Sequence, residues 1–143
     1  MADEMTPQAR RAFLTSGTRT AILATTRADG RPHAVPVCFV LDGGDVLILT
    51  NDTTAKGRAL QRDPRVTLVV DDETPPFAFV MIEGEAHLSR SPDDIGRVAP
   101  EIAQRYDRPD GIEDFVRFAH EALGTLVRVK PTKIVALDRV GEP

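Results

Sequence analysis

Apolar residues recur along this chain with a period of two through most of its length and with a period near 3.6 in a few places. Residues 20–25, 46–50 and 66–70 are short apolar runs, and 32–41 and 77–88 are longer ones that alternate in part. Residues 125–129 and 133–137 form a last pair joined across Pro131. Turn residues bound each run, so each predicts a strand. Asp29-Gly30 and the Asp42-Gly43-Gly44-Asp45 stretch supply hairpin turns. Within 32–41, His33, Val35, Val37 and Phe39 share one face, and Ala34, Pro36, Cys38 and Val40 the other. Pro36 cannot donate to a ladder, which places this strand at an edge or a bulge. The Glu83-Gly84-Glu85 break in 77–88 suits a bulge or a bend.

The helical signals sit between these strands. Thr6 followed by Pro7 opens a helix that Gly17 closes, with Ala9, Ala12 and Phe13 as an apolar stripe fit to lie on the barrel as a lid. A second helix runs from about Thr54 to the stop at Asp63-Pro64. Ser91-Pro92 with Asp94 predicts a capped start, and Ile95, Val98, Ala99, Ile102, Ala103 and Tyr106 then mark one face. Pro100 within it predicts a kink or a split. A further helix over 112–123 presents Phe115, Ala119, Ala122 and Leu123 and ends at Gly124. Strands on tight turns with inserted helices describe a fold that is mainly β with helical additions (α+β), a small closed barrel. The 143 residues fit one domain: an N-terminal helix (1–17), barrel strands (20–90) carrying the helix 54–62, a helical insertion (91–124) and closing strands (125–138).

Composition narrows the classes. The chain is 41% hydrophobic and 28% charged with a formal net charge of −4, which points away from nucleic acid and from anionic membrane surfaces. No apolar run reaches the ~20 residues of a membrane span and no signal segment is visible, so a cytoplasmic protein is expected. One cysteine, Cys38, excludes a disulfide framework and a Cys-cluster metal site; on an interior strand it reads first as a small buried hydrophobe. His33, His87 and His120 lie on separate elements without metal-ligand spacing, so no metal site is expected, and no hydrolytic motif is present. With no recognisable protein-based catalyst, enzymatic chemistry here would be carried by a bound cofactor.

One segment reverses the overall charge. From Thr53 to Val66 stand Lys56, Arg58, Arg62 and Arg65 against Asp63 alone, and Lys56 is one of three lysines in the chain. It follows the apolar strand that begins at Leu47 and a polar turn, Thr50-Asn51-Asp52-Thr53-Thr54. Strand, hydroxyl-rich turn and helix N-terminus is the order that gathers free N–H groups and cations on a phosphate. Cations at that end oppose the helix dipole, which an anionic ligand would offset; a solvated helix face is the other reading.

In this order and spacing, Ala21-Ile-Leu-Ala-Thr25, Asp29-Gly-Arg-Pro-His-Ala-Val-Pro-Val37, Leu47-Ile-Leu-Thr50, Ala55-Lys-Gly-Arg-Ala-Leu60 and Arg62-Asp-Pro-Arg-Val66 resemble the split β-barrel flavin and deazaflavin oxidoreductases. This is the pyridoxamine-phosphate-oxidase-like superfamily, and the likeness leans to the branch that uses the deazaflavin coenzyme F420. The resemblance implies a six-stranded antiparallel split barrel of the FMN-binding type, homodimeric, with cofactor sites at the subunit interface. It implies that Thr50, Asn51, Thr54, Lys56 and Arg58 hold the cofactor phosphate. Pro36, Val37 and Cys38 would lie along the ring, and Phe77 would reach the partner's cofactor. Where the FMN oxidases have a Ser-Arg-Lys triplet this chain has Thr54-Ala55-Lys56. Ala55 removes a bidentate phosphate partner, which favours F420 over FMN. The implied activity is hydride transfer from the deazaflavin to a small conjugated acceptor such as an enone, a quinone or a tetrapyrrole. An FMN-dependent oxidase or reductase, a non-catalytic flavin, deazaflavin or haem binder, and a plain structural barrel stay open. No catalytic residue is assigned; His33, Tyr106 and His120 are the available proton donors.

Overall fold

The computed structural model describes residues 2–109 and 111–141. Among these, eight antiparallel strands make one sheet: β1 (Asp3–Glu4), β2 (Ala21–Thr26), β3 (Pro32–Val37), β4 (Val40–Asp42), β5 (Asp45–Thr50), β6 (Arg65–Asp72), β7 (Ala78–Ser89) and β8 (Thr125–Asp138). Their order is β3-β2-β6-β7-β8-β5-β4, with β1 paired to β8. β3 and β4 lie at opposite ends of that order, yet only Cys38 and Phe39 separate them in the chain. The sheet must therefore curl until its ends meet, and Cys38-Phe39 is the seam. The helices are α1 (Pro7–Thr15), α2 (Ala55–Arg62), α3 (Pro92–Arg105) and α4 (Gly111–Phe118), the last running into a π-helical turn (Ala119–Leu123). This is the α+β split barrel the sequence predicts. The two strands beyond the expected six are β1, two residues long, and β4, the part of 32–41 that lies past the seam.

Three local expectations are corrected. Residues 125–138 form one strand, because Pro131 pairs with Gly84 at the register shift after Glu83, where the regular ladder is interrupted. A Cβ on Gly84 would sit 2.5 Å from Lys130 O, so the close crossing needs glycine. Helix α3 continues through Pro100: the proline forfeits one bond, toward Gly96, while Ile95, Val98, Ala99, Ile102 and Ala103 are all buried along the same helix. Its capping box is not made. Ser91 forms no side-chain cap, and Asp94 instead accepts from the Ser89 hydroxyl at 2.6 Å and from Arg97. Pro36 does mark an edge, since β3 ends the sheet.

Two apolar clusters follow from the alternation. Leu23, Phe39, Val46, Ile48, Leu68, Val70, Val80, Ile82, Val127 and Val129 fill the barrel, joined by Leu14 of α1 and Leu60 of α2. Val40, Leu47 and Leu126 face outward and meet Ile95, Val98, Ala99, Ile102, Ala103, Phe115 and Ala119 of the insertion. β5 is thus buried on both faces, which is why its sequence runs apolar without a break. Each such side chain is worth about 1.5–3 kcal/mol against exposure. On the remaining outer face Pro36, Ile22, Val69, Met81 and Val135 stand in register across five strands. None belongs to either cluster, and Ile22 is 39% exposed.

Candidate functional site

The turn after β5 is organised by its own polar groups. Thr54 caps α2: its hydroxyl accepts from Gly57 N–H at 3.1 Å and donates to Asn51 O at 2.8 Å. The hydroxyl of Thr50, 2% exposed, lies 3.5 Å from that of Thr54. Asn51 accepts from Thr53 N–H at 2.8 Å and from the Thr53 hydroxyl at 2.6 Å, and its amide donates to Ala122 O at 2.6 Å. That last bond ties the turn to the π-helical end of the insertion. A Cβ on Gly57 would approach Asn51 O to 2.2 Å, so helix and turn can pack this closely only with glycine there.

Of the residues expected around a phosphate, the structure brings Thr50, Asn51 and Thr54 together, with their side chains bonded within the turn. Ala55 is the exposed first residue of α2. Lys56 and Arg58 diverge, since two residues span about 200° of a helix. Lys56 is half-buried and lines a cavity, whereas Arg58 is exposed and outside that lining. Neither forms an ion pair among the described residues.

The cavity has a volume of about 190 Å³ and is walled by Pro36, Val37 and Cys38 at the seam and Leu49 of β5. Lys56 of α2 and Ile102, Arg108, Phe115, Phe118 and Leu123 of the insertion complete it. The three residues expected along a cofactor ring thus share one cavity with Lys56. Phe77 does not line it; it sits exposed at the β6–β7 turn, its N–H on Thr74 O at 2.9 Å. Two cations and no carboxylate line the cavity among the described residues. Burial pushes the Cys38 thiol up, against the pull of Arg108 and Arg105.

The seam is held by the end of α3. Arg105 donates to Phe39 O at 2.8 Å, Leu14 O at 2.7 Å and Gly17 O at 3.1 Å, and its guanidinium lies 4.5 Å from the centre of the Phe39 ring. The Tyr106 hydroxyl sits 2.7 Å from Arg19 O and accepts Phe39 N–H at 3.1 Å. Burial raises the Tyr106 pKa, countered by its bond to the Phe39 backbone. None of the possible proton donors is among the lining residues: Tyr106 lies in the seam beside Cys38, His33 on β3 with Nδ1 buried and unpartnered, His120 against Gly96. Nothing in the local sequence marks Arg108 or Phe118 as lining residues; they arrive by the fold of the insertion. No group of metal-ligating side chains exists among the described residues. No helix there is long and apolar enough to cross a membrane.

A curled antiparallel barrel with a seam cavity beside a helix N-terminus is the architecture of a split β-barrel. Residues 6–134 match the Pyridoxamine 5'-phosphate oxidase family, and the chain belongs to it. Among solved structures it is similar to the conserved hypothetical protein Rv2991 from Mycobacterium tuberculosis, at 27% identity and a TM-score of 0.83 over 97% of this chain and 89% of that one. An F420 reductase matches at 23% identity and a TM-score of 0.68, covering 86% of this chain and 94% of that one. HutZ, the haem storage protein from Vibrio cholerae, matches at 18% and 0.74, covering 94% and 96%. The last two likenesses are of fold.

Proposed function

We propose that this protein is a reductase that uses the deazaflavin coenzyme F420 to deliver hydride to a small conjugated acceptor, as a homodimer with its cofactor sites between subunits. The observation that carries this reading is the meeting, in one cavity, of the end of the edge strand (Pro36, Val37) and the seam residue Cys38 with the uncompensated Lys56. The donor set fits such a group. Lys56 and the positive end of α2 would hold its phosphate, and the strand would lie against its ring. Ala55 offers no guanidinium beside Lys56 for a bidentate hold on the phosphate, which supports the deazaflavin over FMN.

Bound there, the reduced coenzyme supplies the hydride. The chain orients it through Lys56, excludes water with Leu49, Ile102, Phe115 and Leu123, and stabilises negative charge growing on the acceptor with its cations. The dimer is supported by two features. At about 190 Å³ the cavity is smaller than the ~300–1,000 Å³ of typical small-molecule sites, so one chain provides only part of the walls. The uncovered row of Ile22, Val69, Met81 and Val135 leads to Pro36, which also lines the cavity. A second copy on that face would complete the site. We place this dimer in the cytoplasm, as the sequence suggests.

A second reading, a cofactor carrier without turnover, is favoured by the lack of His33, Tyr106 and His120 among the residues that line the cavity. Titration with FMN and with the deazaflavin side by side, read by cofactor fluorescence, tests the cofactor. Tighter binding of the deazaflavin is expected; FMN-only binding overturns it. Oxidation of the bound reduced deazaflavin by a panel of quinones and enones then separates reductase from carrier.

A further inference from the structure

Arg108 stands out among the walls of the cavity. It follows α3 and its side chain is half-buried, yet it forms no ion pair or side-chain hydrogen bond among the described residues. Its guanidinium instead lies 4.8 Å from the centre of the Phe115 ring, itself 7% exposed, and the Phe118 ring lies 6.1 Å from that of Phe115, tilted by 39°. Phe118 is 46% exposed although it lines the same cavity, so this aromatic wall is open to an incoming ring. Arg128, by contrast, is committed to Asp42 and Asp45, and Arg105 to three carbonyls. A guanidinium that is partly desolvated and without a counter-charge raises the affinity of its surroundings for an anion. The facing Phe115 ring fixes its plane.

We infer that Arg108, with Phe115 and Phe118, forms a clamp for a planar aromatic or conjugated ligand bearing an acidic group, and that this clamp selects the acceptor. Only the acceptor role rests on the reductase reading. Lys56 enters from α2 and Arg108 from the insertion; the first is assigned to the cofactor and the second to the acceptor's carboxylate or sulfonate.

The test uses two fluorescent probes that share an arylamine–naphthalene frame, 1-anilinonaphthalene-8-sulfonate and the uncharged N-phenyl-1-naphthylamine, titrated into the full chain. The sulfonate should bind about tenfold or more tightly than its neutral twin. Arg108→Gln should lose that preference while keeping affinity for the neutral probe, and Arg108→Lys should restore part of it. Equal binding of both probes by the native chain, no binding of the sulfonate, or an unchanged preference in Arg108→Gln would each overturn the clamp. A parallel deazaflavin titration separates the two claims. Loss of the probe preference in Arg108→Gln with no deazaflavin binding by the native chain would refute the cofactor reading and leave the clamp standing.

Discussion

The same sheet has two outer faces that have been treated differently. Over β4, β5 and the first half of β8 the chain supplies its own cover, with Leu47 and Leu126 buried under Ile102, Ala99 and Phe115. Over β3, β2, β6, β7 and the second half of β8 an apolar row of the same kind stays partly open. Only one of the two apolar faces is covered within a single chain; the proposed dimer would cover the other. The cavity lies where they meet, with Pro36 from the open face and Ile102 from the covered one.

Breaking the covered side should give the largest effect. Ile102→Ala empties a site 3% exposed and should cost about 2–5 kcal/mol in urea unfolding. A loss below about 1 kcal/mol would mean that the insertion is not part of the cooperative core. On the open side Ile22→Asp places a charge mid-row, where a single chain pays little. It should leave unfolding of the monomer almost unchanged and convert the proposed dimer to monomer in light scattering. A persistent dimer would place the contact elsewhere.

The join between the regions can be loosened more gently. Asn51→Ala removes the bond to Ala122 O and should cost about 1–2 kcal/mol, with faster hydrogen exchange in residues 119–123. The smallest effect is electrostatic. The Thr125 hydroxyl, donating to Asp52 at 2.8 Å, and then Arg90 at 2.6 Å hold the Asp52 carboxyl below its usual value. A depressed carboxylate adds stability above its unfolded pKa of about 4, and that contribution is lost as pH falls through the lowered value. Asp52→Asn should therefore be less stable than the native chain at neutral pH, with the gap closing as pH falls through the lowered value. A gap independent of pH would assign the effect to packing.

Much of the barrel was legible because local chemistry and fold agree. Asp29-Gly30 turns where a two-strand register requires it, Pro36 ends the sheet, and the unbroken run beginning at Val46 is buried on both faces. The errors arose where a distant partner overrode a local signal. Ser89 took the Asp94 carboxylate from Ser91, a register shift that skips Thr132 beside Pro131 let one strand run on, and the packed face of α3 outweighed Pro100. In the candidate site, Lys56 could be proposed from the helix-start pattern, and the segment 36–38 from the family resemblance. Bonding of Asn51 to Ala122 and the approach of Arg108 to Phe115 depend on contacts 71 and 7 residues away through the folded insertion, which no local spacing encodes.

The central claim is that Lys56, at the edge of the seam cavity, holds an anionic cofactor. Titration of the native chain and of Lys56→Ala with the deazaflavin, followed by cofactor fluorescence, addresses it most directly. Lys56 is half-buried on an amphipathic helix, so alanine should leave the fold intact while removing a charged hydrogen bond worth about 1.5–3 kcal/mol. Affinity should fall by roughly tenfold or more. Equal affinity in the two proteins would contradict the claim.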